Sequence, residues 1–168
     1  MAIFCLWLQH AGLAARCASA DLIGTAEIAG YDLAFDKIGQ DGSGKATLVA
    51  GRDGCVVPGA LYRLDTADLV ALDQVEGPGY ERILVPLVGQ ARDAFAYLAL
   101  RGARDPELQP FDWYLGLIQA GAYQQCLLAA WISRLARQPV ITDPDVNRPR
   151  QVEAQVLLAA CPSEWRPA

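Results

Sequence analysis

One carboxylate stands out by its position. Glu76 ends the run Leu72-Asp73-Gln74-Val75-Glu76 and is followed by Gly77-Pro78-Gly79, a sequence that stops a helix. A carboxylate in the last turn of a helix meets the partial negative charge of the unpaired carbonyls, which raises its pKa, and a dry surrounding raises it further. A carboxyl group moved towards neutrality can take up and return protons near pH 7. The alternative is a solvated glutamate paired with Arg82. Tyr80 follows the glycine turn closely enough for its hydroxyl to return to Glu76 or to a substrate; the competing role is that of an amphipathic core tyrosine.

Other chemistries have little to work with. His10 is the only histidine, which leaves a multi-histidine metal site without ligands. The five cysteines (Cys5, Cys17, Cys55, Cys126 and Cys161) are scattered and form no CxxC pair. They read as reduced, small buried hydrophobes of a cytoplasmic protein. The net charge of −5 and the lack of a basic run argue against nucleic acid as a partner. Only Lys37 and Lys45 are lysines. The apolar run Ala2–Leu8 is too short to span a bilayer and has no charged segment before it, so it reads as a first β-strand rather than a membrane or signal segment.

The elements that must position these residues follow from patterning. At 168 residues, 53% hydrophobic and 20% charged, the chain is long enough for one domain with a substantial core, and no linker divides residues 1–168. Residues 22–38 are strand-like, with Gly30 as a bulge or close-approach site. A turn cluster at 40–44 leads into a strand over Lys45–Ala50, and Val56–Leu64 makes another, which Pro58 and Gly59 mark as an edge or bulge. A helix over 65–76 is capped by Asp65 or Thr66 and turns Leu69, Leu72 and Val75 to one side. Tyr80–Val88 and Ala94–Leu100 are strands. From Pro110 the period is helical, with Tyr114, Leu115, Ile118 and Ala122 on one stripe and Leu127, Leu128, Trp131, Ile132 and Leu135 on the next. Residues 139–149 form a loop, and a last helix over 150–160 is expected to turn Val152, Val156 and Leu157 inward.

Several motifs recur in a particular order. Gly59-Ala60-Leu61-Tyr62-Arg63-Leu64 closes a strand, Leu72-Asp73 with Glu76-Gly77 closes the short helix, and Gly79-Tyr80-Glu81-Arg82 opens the next strand. Before them stand Arg16-Cys17 with Ala20, then Ile23-Gly24 with Ala26, and then Asp41-Gly42-Ser43-Gly44-Lys45-Ala46-Thr47. Tyr114-Leu115 with Ile118 and Gly121-Ala122 follow. In this order the motifs resemble the γ-glutamylcyclotransferases and their AIG2-like relatives over roughly residues 11–125. The resemblance implies an α+β fold, a γ-glutamylcyclotransferase-like mixed β-barrel with flanking helices, mainly helical from about residue 110. It also implies conversion of a small γ-glutamyl amine or peptide to 5-oxoproline and a free amine, with no cofactor. Glu76 matches the family's general acid/base, and Tyr80 and Tyr114 match positions that contact ligand or orient the acid.

The chain departs from the family at its N-terminus. Where the family has a strand and the loop Y-G-S-N, this sequence has Phe4-Cys5-Leu6-Trp7-Leu8-Gln9-His10, without glycine and with bulky residues. A loop that needs glycine for close approach to a ligand is not readable here. Codons can be chosen for Cys5 to Ala11 that, read one base later, spell Ala-Tyr-Gly-Ser-Asn-Met, so a local frame change is one expectation for the departure, the alternative being an apolar strand that drifted from the loop. The expectation is that the chain as written is a weak or inactive cyclotransferase, the alternative being a non-catalytic, ligand- or partner-binding member of the fold.

Overall fold

The structure, a computed structural model, describes residues 1–5, 13, 14 and 16–165. The expected continuation of the first strand through Leu8, and the Trp7–His10 stretch, lie outside the described residues.

Seven strands and four α-helices are described: β1 Ala2–Cys5, β2 Asp21–Ala29, β3 Tyr31–Ile38, β4 Gly44–Ala50, β5 Val56–Arg63, α1 Thr66–Glu76, β6 Tyr80–Pro86, β7 Asp93–Ala99, α2 Asp112–Gln124, α3 Ala129–Ala136 and α4 Pro149–Ala159. Five strands form one sheet in the order β2-β5-β1-β7-β6, while β3 and β4 form a separate ribbon. The larger sheet is mixed: β1 runs antiparallel to β5, pairing Ile3 with Tyr62, and parallel to β7, pairing Ile3 with Phe95. Its two edges curl towards each other and meet at one bridge, Ile28–Leu87, beside which the Val88 N–H donates to the Glu27 carbonyl at 2.8 Å. A sheet curled onto itself in this way shelters edge backbone that would otherwise pair with another chain. The ribbon is tied to the sheet where the Ala99 N–H donates to Thr47 Oγ1 at 2.8 Å. Ile28, Leu48, Val57, Tyr62, Leu69 and Val85 fill the space enclosed and are buried. This mixed α+β architecture is the one the motifs imply.

Two strand expectations need correction. The run 22–38 is two strands, because Gly30 takes φ +80° and bends the chain between them, and the bulge falls at Leu22–Gly24 instead. β5 is not an edge strand. It lies between β2 and β1, and residues 57–62 are all buried, as suits a strand covered on both sides. Its last described pair with β1 is Ala60–Cys5, and on its other side Pro58 stands opposite Glu27 of β2. Gly59 is needed by packing: a Cβ there would stand 2.5 Å from the Phe4 ring.

The helical part follows the expected period with two shifts of face. Tyr114, Leu115, Ile118 and Ala122 of α2 are buried, as are Trp131 and Leu135 of α3, whereas Leu128, expected on the same stripe, stands before the helix as its N-cap and is 71% exposed. In α4, however, Gln151 and Ala154 face inward with Leu157 partly covered, while Val152 and Val156 are 46% and 66% exposed. Pro149 opens this helix and so sets its phase, and the small Ala154 lets it lie close to its neighbour. Val75 of α1 is likewise exposed, leaving Leu69 and Leu72 as the buried face. The loop before α4 is anchored by Asp143, a buried carboxylate that accepts from Trp113 Nε1 at 3.0 Å and from Arg148 Nε and Nη2 at 2.6 and 3.1 Å. Only Cys17 among the cysteines is buried, and Cys126 is exposed, so the expected core role holds for one of them.

Candidate active site

α1 delivers Glu76 to a fixed place. Asp65 caps its start by accepting from the Asp68 N–H at 2.8 Å, and Asp68 in turn accepts from the Ser19 N–H and hydroxyl, each at 2.7 Å. Its end is set by Gly77, at φ +77° and ψ −179°, whose N–H donates to the Asp73 carbonyl at 3.1 Å. That backbone region is almost closed to residues with a Cβ. The chain therefore leaves the helix immediately after Glu76.

Glu76 lines a cavity of about 500 Å³ between the curled sheet, α1, α2 and α4. It is half-buried, and its pKa is raised to about 7, chiefly by burial; the nearby positive charges of Arg16 and Lys37 oppose the rise. Arg82 does not pair with it. Its guanidinium lies 3.1 Å from Asp73, which also accepts from the Tyr97 hydroxyl at 2.7 Å. The geometry thus disfavours a solvated glutamate paired with Arg82, and burial outweighs the helix terminus as the cause of the shift.

Tyr80 and Tyr114 also line this cavity, and both hold β4 at one residue. The Tyr80 hydroxyl donates to the Ala46 carbonyl at 2.7 Å, and the Tyr114 hydroxyl accepts from the Ala46 N–H at 3.1 Å. The Tyr80 proton is engaged with the backbone, which leaves its oxygen to act as an acceptor. Burial pushes the Tyr80 phenol well above its ordinary pKa, so it stays neutral. Lys37 Nζ sits 4.9 Å from the centre of its ring.

The D-G-S-G-K turn builds the opposite wall. Asp41 Oδ1 accepts from the Ser43 N–H and hydroxyl at 3.0 and 2.9 Å, and Asp41 Oδ2 accepts from Lys45 Nζ at 2.7 Å. Lys45 also stands over the rings of Phe111, Trp113 and Tyr114, at 5.5, 5.4 and 4.8 Å from their centres. α4 supplies Arg150 and Glu153, and the residue before it, Arg148, faces the same space. The roles of Arg16, Lys37, Lys45, Arg150 and Glu153 in this wall escaped sequence reading. One signal was available: a chain with two lysines in all places both of them on one cavity. Among the described residues no group of three or more His, Cys, Asp or Glu side chains is placed to hold a metal ion, and no helix is long and apolar enough to cross a membrane.

Comparison with known proteins agrees with this fold. A solved gamma-glutamyl cyclotransferase is 20% identical and superposes with a TM-score of 0.81, over 94% of this chain and 97% of that one. The human uncharacterized protein loc79017 is 22% identical, with a TM-score of 0.79 and the same coverage. YkqA from Bacillus subtilis, at 22% identity and a TM-score of 0.62, matches 84% of this chain but 56% of its own. At these identities the likeness is one of fold. None of the curated proteins matches the chain by sequence. The family described as gamma-glutamyl cyclotransferase, AIG2-like, matches residues 8–115, a stretch that begins inside the divergent N-terminal segment and carries Glu76, Tyr80 and Tyr114. The chain belongs to the gamma-glutamyl cyclotransferase, AIG2-like family.

Proposed function

We infer that this protein is a γ-glutamylcyclotransferase that converts a γ-glutamyl amine or peptide to 5-oxoproline and a free amine, with Glu76 as general acid and base. The observation that carries this reading is Glu76 itself: a half-buried carboxyl on a cavity wall, held at a helix end, with its pKa raised to about 7. Family membership supports it.

The reaction is intramolecular, so the protein's task is to fold the substrate and move protons. The Glu76 carboxylate removes a proton from the substrate's α-ammonium. The freed amine attacks the side-chain carbonyl carbon of the same γ-glutamyl group, forming the new C–N bond of a five-membered ring. The bond from that carbon to the leaving nitrogen then breaks. Two protons shed by the former ammonium reach the leaving nitrogen through Glu76, and the carboxylate is regenerated. The Tyr80 oxygen, whose own proton is engaged with Ala46, is suited to accept a hydrogen bond from the ammonium before it reacts. Tyr114 shapes the same wall through Ala46.

The test is release of 5-oxoproline from a panel of γ-glutamyl amino acids and amines. Glu76→Gln keeps the shape of the side chain but cannot carry a proton, and kcat should fall by about a hundredfold or more while KM changes little. In the parent, kcat/KM should rise with pH and level off above about 7, as the base becomes ionised. Full turnover by Glu76→Gln would remove Glu76 from the chemistry. A second reading, a ligand-binding member of the fold without turnover, is favoured by the glycine-free Leu6–Gln9 stretch. Binding of γ-glutamyl compounds with no 5-oxoproline at any pH would establish it.

A further inference from the structure

Among the described residues, five cationic side chains and three carboxylates face the cavity, in a chain whose net charge is −5. The positive surplus is larger still when Glu76 is protonated. Such a cavity attracts a ligand with net negative charge.

The cations differ in how firmly they are tied. Lys45 is paired with the largely buried Asp41, and Arg148 with the fully buried Asp143. Detaching either would strand a buried carboxylate, which is costly. Arg16 and Lys37 act on Glu76 and belong to the reacting end. Arg150 is the exception. Its partner Glu153 lies one turn along α4 at 3.0 Å, and the Arg150 side chain is 56% exposed at the cavity rim. An exposed pair of this kind contributes little to stability. Arg150 can therefore exchange Glu153 for a ligand carboxylate at small cost. It is also connected to the acid: its charge is felt by Arg16, whose charge is felt by Glu76. A run of positive potential thus leads from the reacting carboxyl to the rim. α4 lies outside the matched residues 8–115, so the acid and this rim come from different parts of the chain.

We propose that Arg150 is a specificity-determining residue that receives the carboxylate of the leaving amino acid, so that the preferred substrates are γ-glutamyl amino acids or peptides with an anionic leaving group rather than γ-glutamyl amines. This assignment rests on the cyclotransferase reading. A γ-glutamyl amino acid carries two carboxylates and one ammonium, whereas a simple γ-glutamyl amine is neutral overall. The planar guanidinium suits a carboxylate, which it can bind through two parallel hydrogen bonds.

L-γ-glutamyl-L-alanine and its C-terminal amide differ at the leaving carboxylate alone. Calorimetric binding and 5-oxoproline release should be measured with both, for the parent chain, Arg150→Gln and Arg150→Lys. The acid should be favoured by about tenfold or more in the parent, a preference that Arg150→Gln largely erases and Arg150→Lys partly keeps. Because Arg150 sits at the rim, the melting temperature of each variant should stay close to the parent's. Equal binding and equal kcat/KM for acid and amide would overturn the proposal while leaving cyclotransferase chemistry intact. An acid preference that survives Arg150→Gln would overturn the assignment to Arg150. Acid-selective, Arg150-dependent binding without 5-oxoproline would support the ligand preference and overturn the catalytic reading. No binding of either compound would overturn both.

Discussion

Glu76 carries a cost that its own substitution should reveal. Its pKa rises from 4.5 to about 7 on folding, with burial as the main cause. The folded chain therefore holds this proton more tightly than the unfolded chain does. The associated stability is fully present below about pH 4.5 and is lost as pH rises to about 7. At about 1.4 kcal/mol for each tenfold in proton affinity, and discounted for partial exposure, the ionised carboxylate costs about 2 kcal/mol. Glu76→Gln has no charge to bury, so it should be more stable than the parent by about 2 kcal/mol at pH 8 and nearly equal to it at pH 4. Urea unfolding at the two pH values measures this; a variant less stable than the parent at pH 8 would make Glu76 a structural residue. Glu76 was legible in the sequence because its signal is local, a glutamate against a glycine stop. Lys37, Arg150 and Glu153 come from a strand end and a distant helix, and no local pattern states that they meet at one cavity.

At the scale of elements, the exit from α1 decides where Glu76 points. Gly77 at φ +77° and ψ −179° occupies a backbone region that strains any side-chain-bearing residue by about 1–3 kcal/mol. Gly77→Ala should lower stability by about that amount and also lower kcat, since the strain is relieved by rotating the peptide next to Glu76. Urea unfolding and a single-turnover assay separate the two effects. Unchanged stability together with unchanged kcat would mean that the turn does not set the acid's position. Helix α1, its cap at Asp65 and its glycine stop were readable because capping and stopping are properties of neighbouring residues. The inward face of α4 was not. Its valines suggested one face, but Pro149 fixes the phase and Asp143 anchors the approach through Arg148, and these place Gln151 and Ala154 inside. Likewise Pro58 and Gly59 read as an edge, because the sequence does not show that β5 is flanked on both sides.

On the scale of the whole molecule, the proposed acid and the stretch expected to grip the substrate come from separate parts of the chain, so each can be tested without disturbing the other. Glu76 closes α1, whereas the loop by which the resemblance implies that the γ-glutamyl group is held corresponds to Leu6-Trp7-Leu8-Gln9, directly after β1. β1 itself is intact as a strand between β5 and β7, with Ile3 and Phe4 in the core. A backbone that approaches a ligand closely needs small residues, and Trp7 and Leu8 are not small. Loss of that grip leaves proton transfer in place but forfeits the near-attack geometry on which an intramolecular reaction depends. The chain as written should therefore turn over γ-glutamyl substrates slowly. The combined variant Leu6→Tyr, Trp7→Gly, Leu8→Ser and Gln9→Asn should raise kcat/KM by about a hundredfold, equivalent to about 3 kcal/mol of barrier. Adding Glu76→Gln to that variant should abolish the gain, because the restored grip has no proton carrier to serve. The measurement is 5-oxoproline release by the parent, the four-residue variant and the five-residue variant on one γ-glutamyl amino acid. Equal rates for the first two would show that the chain holds its substrate without the loop, and holding would then have to be assigned to the cationic wall formed by Arg16, Lys37 and α4.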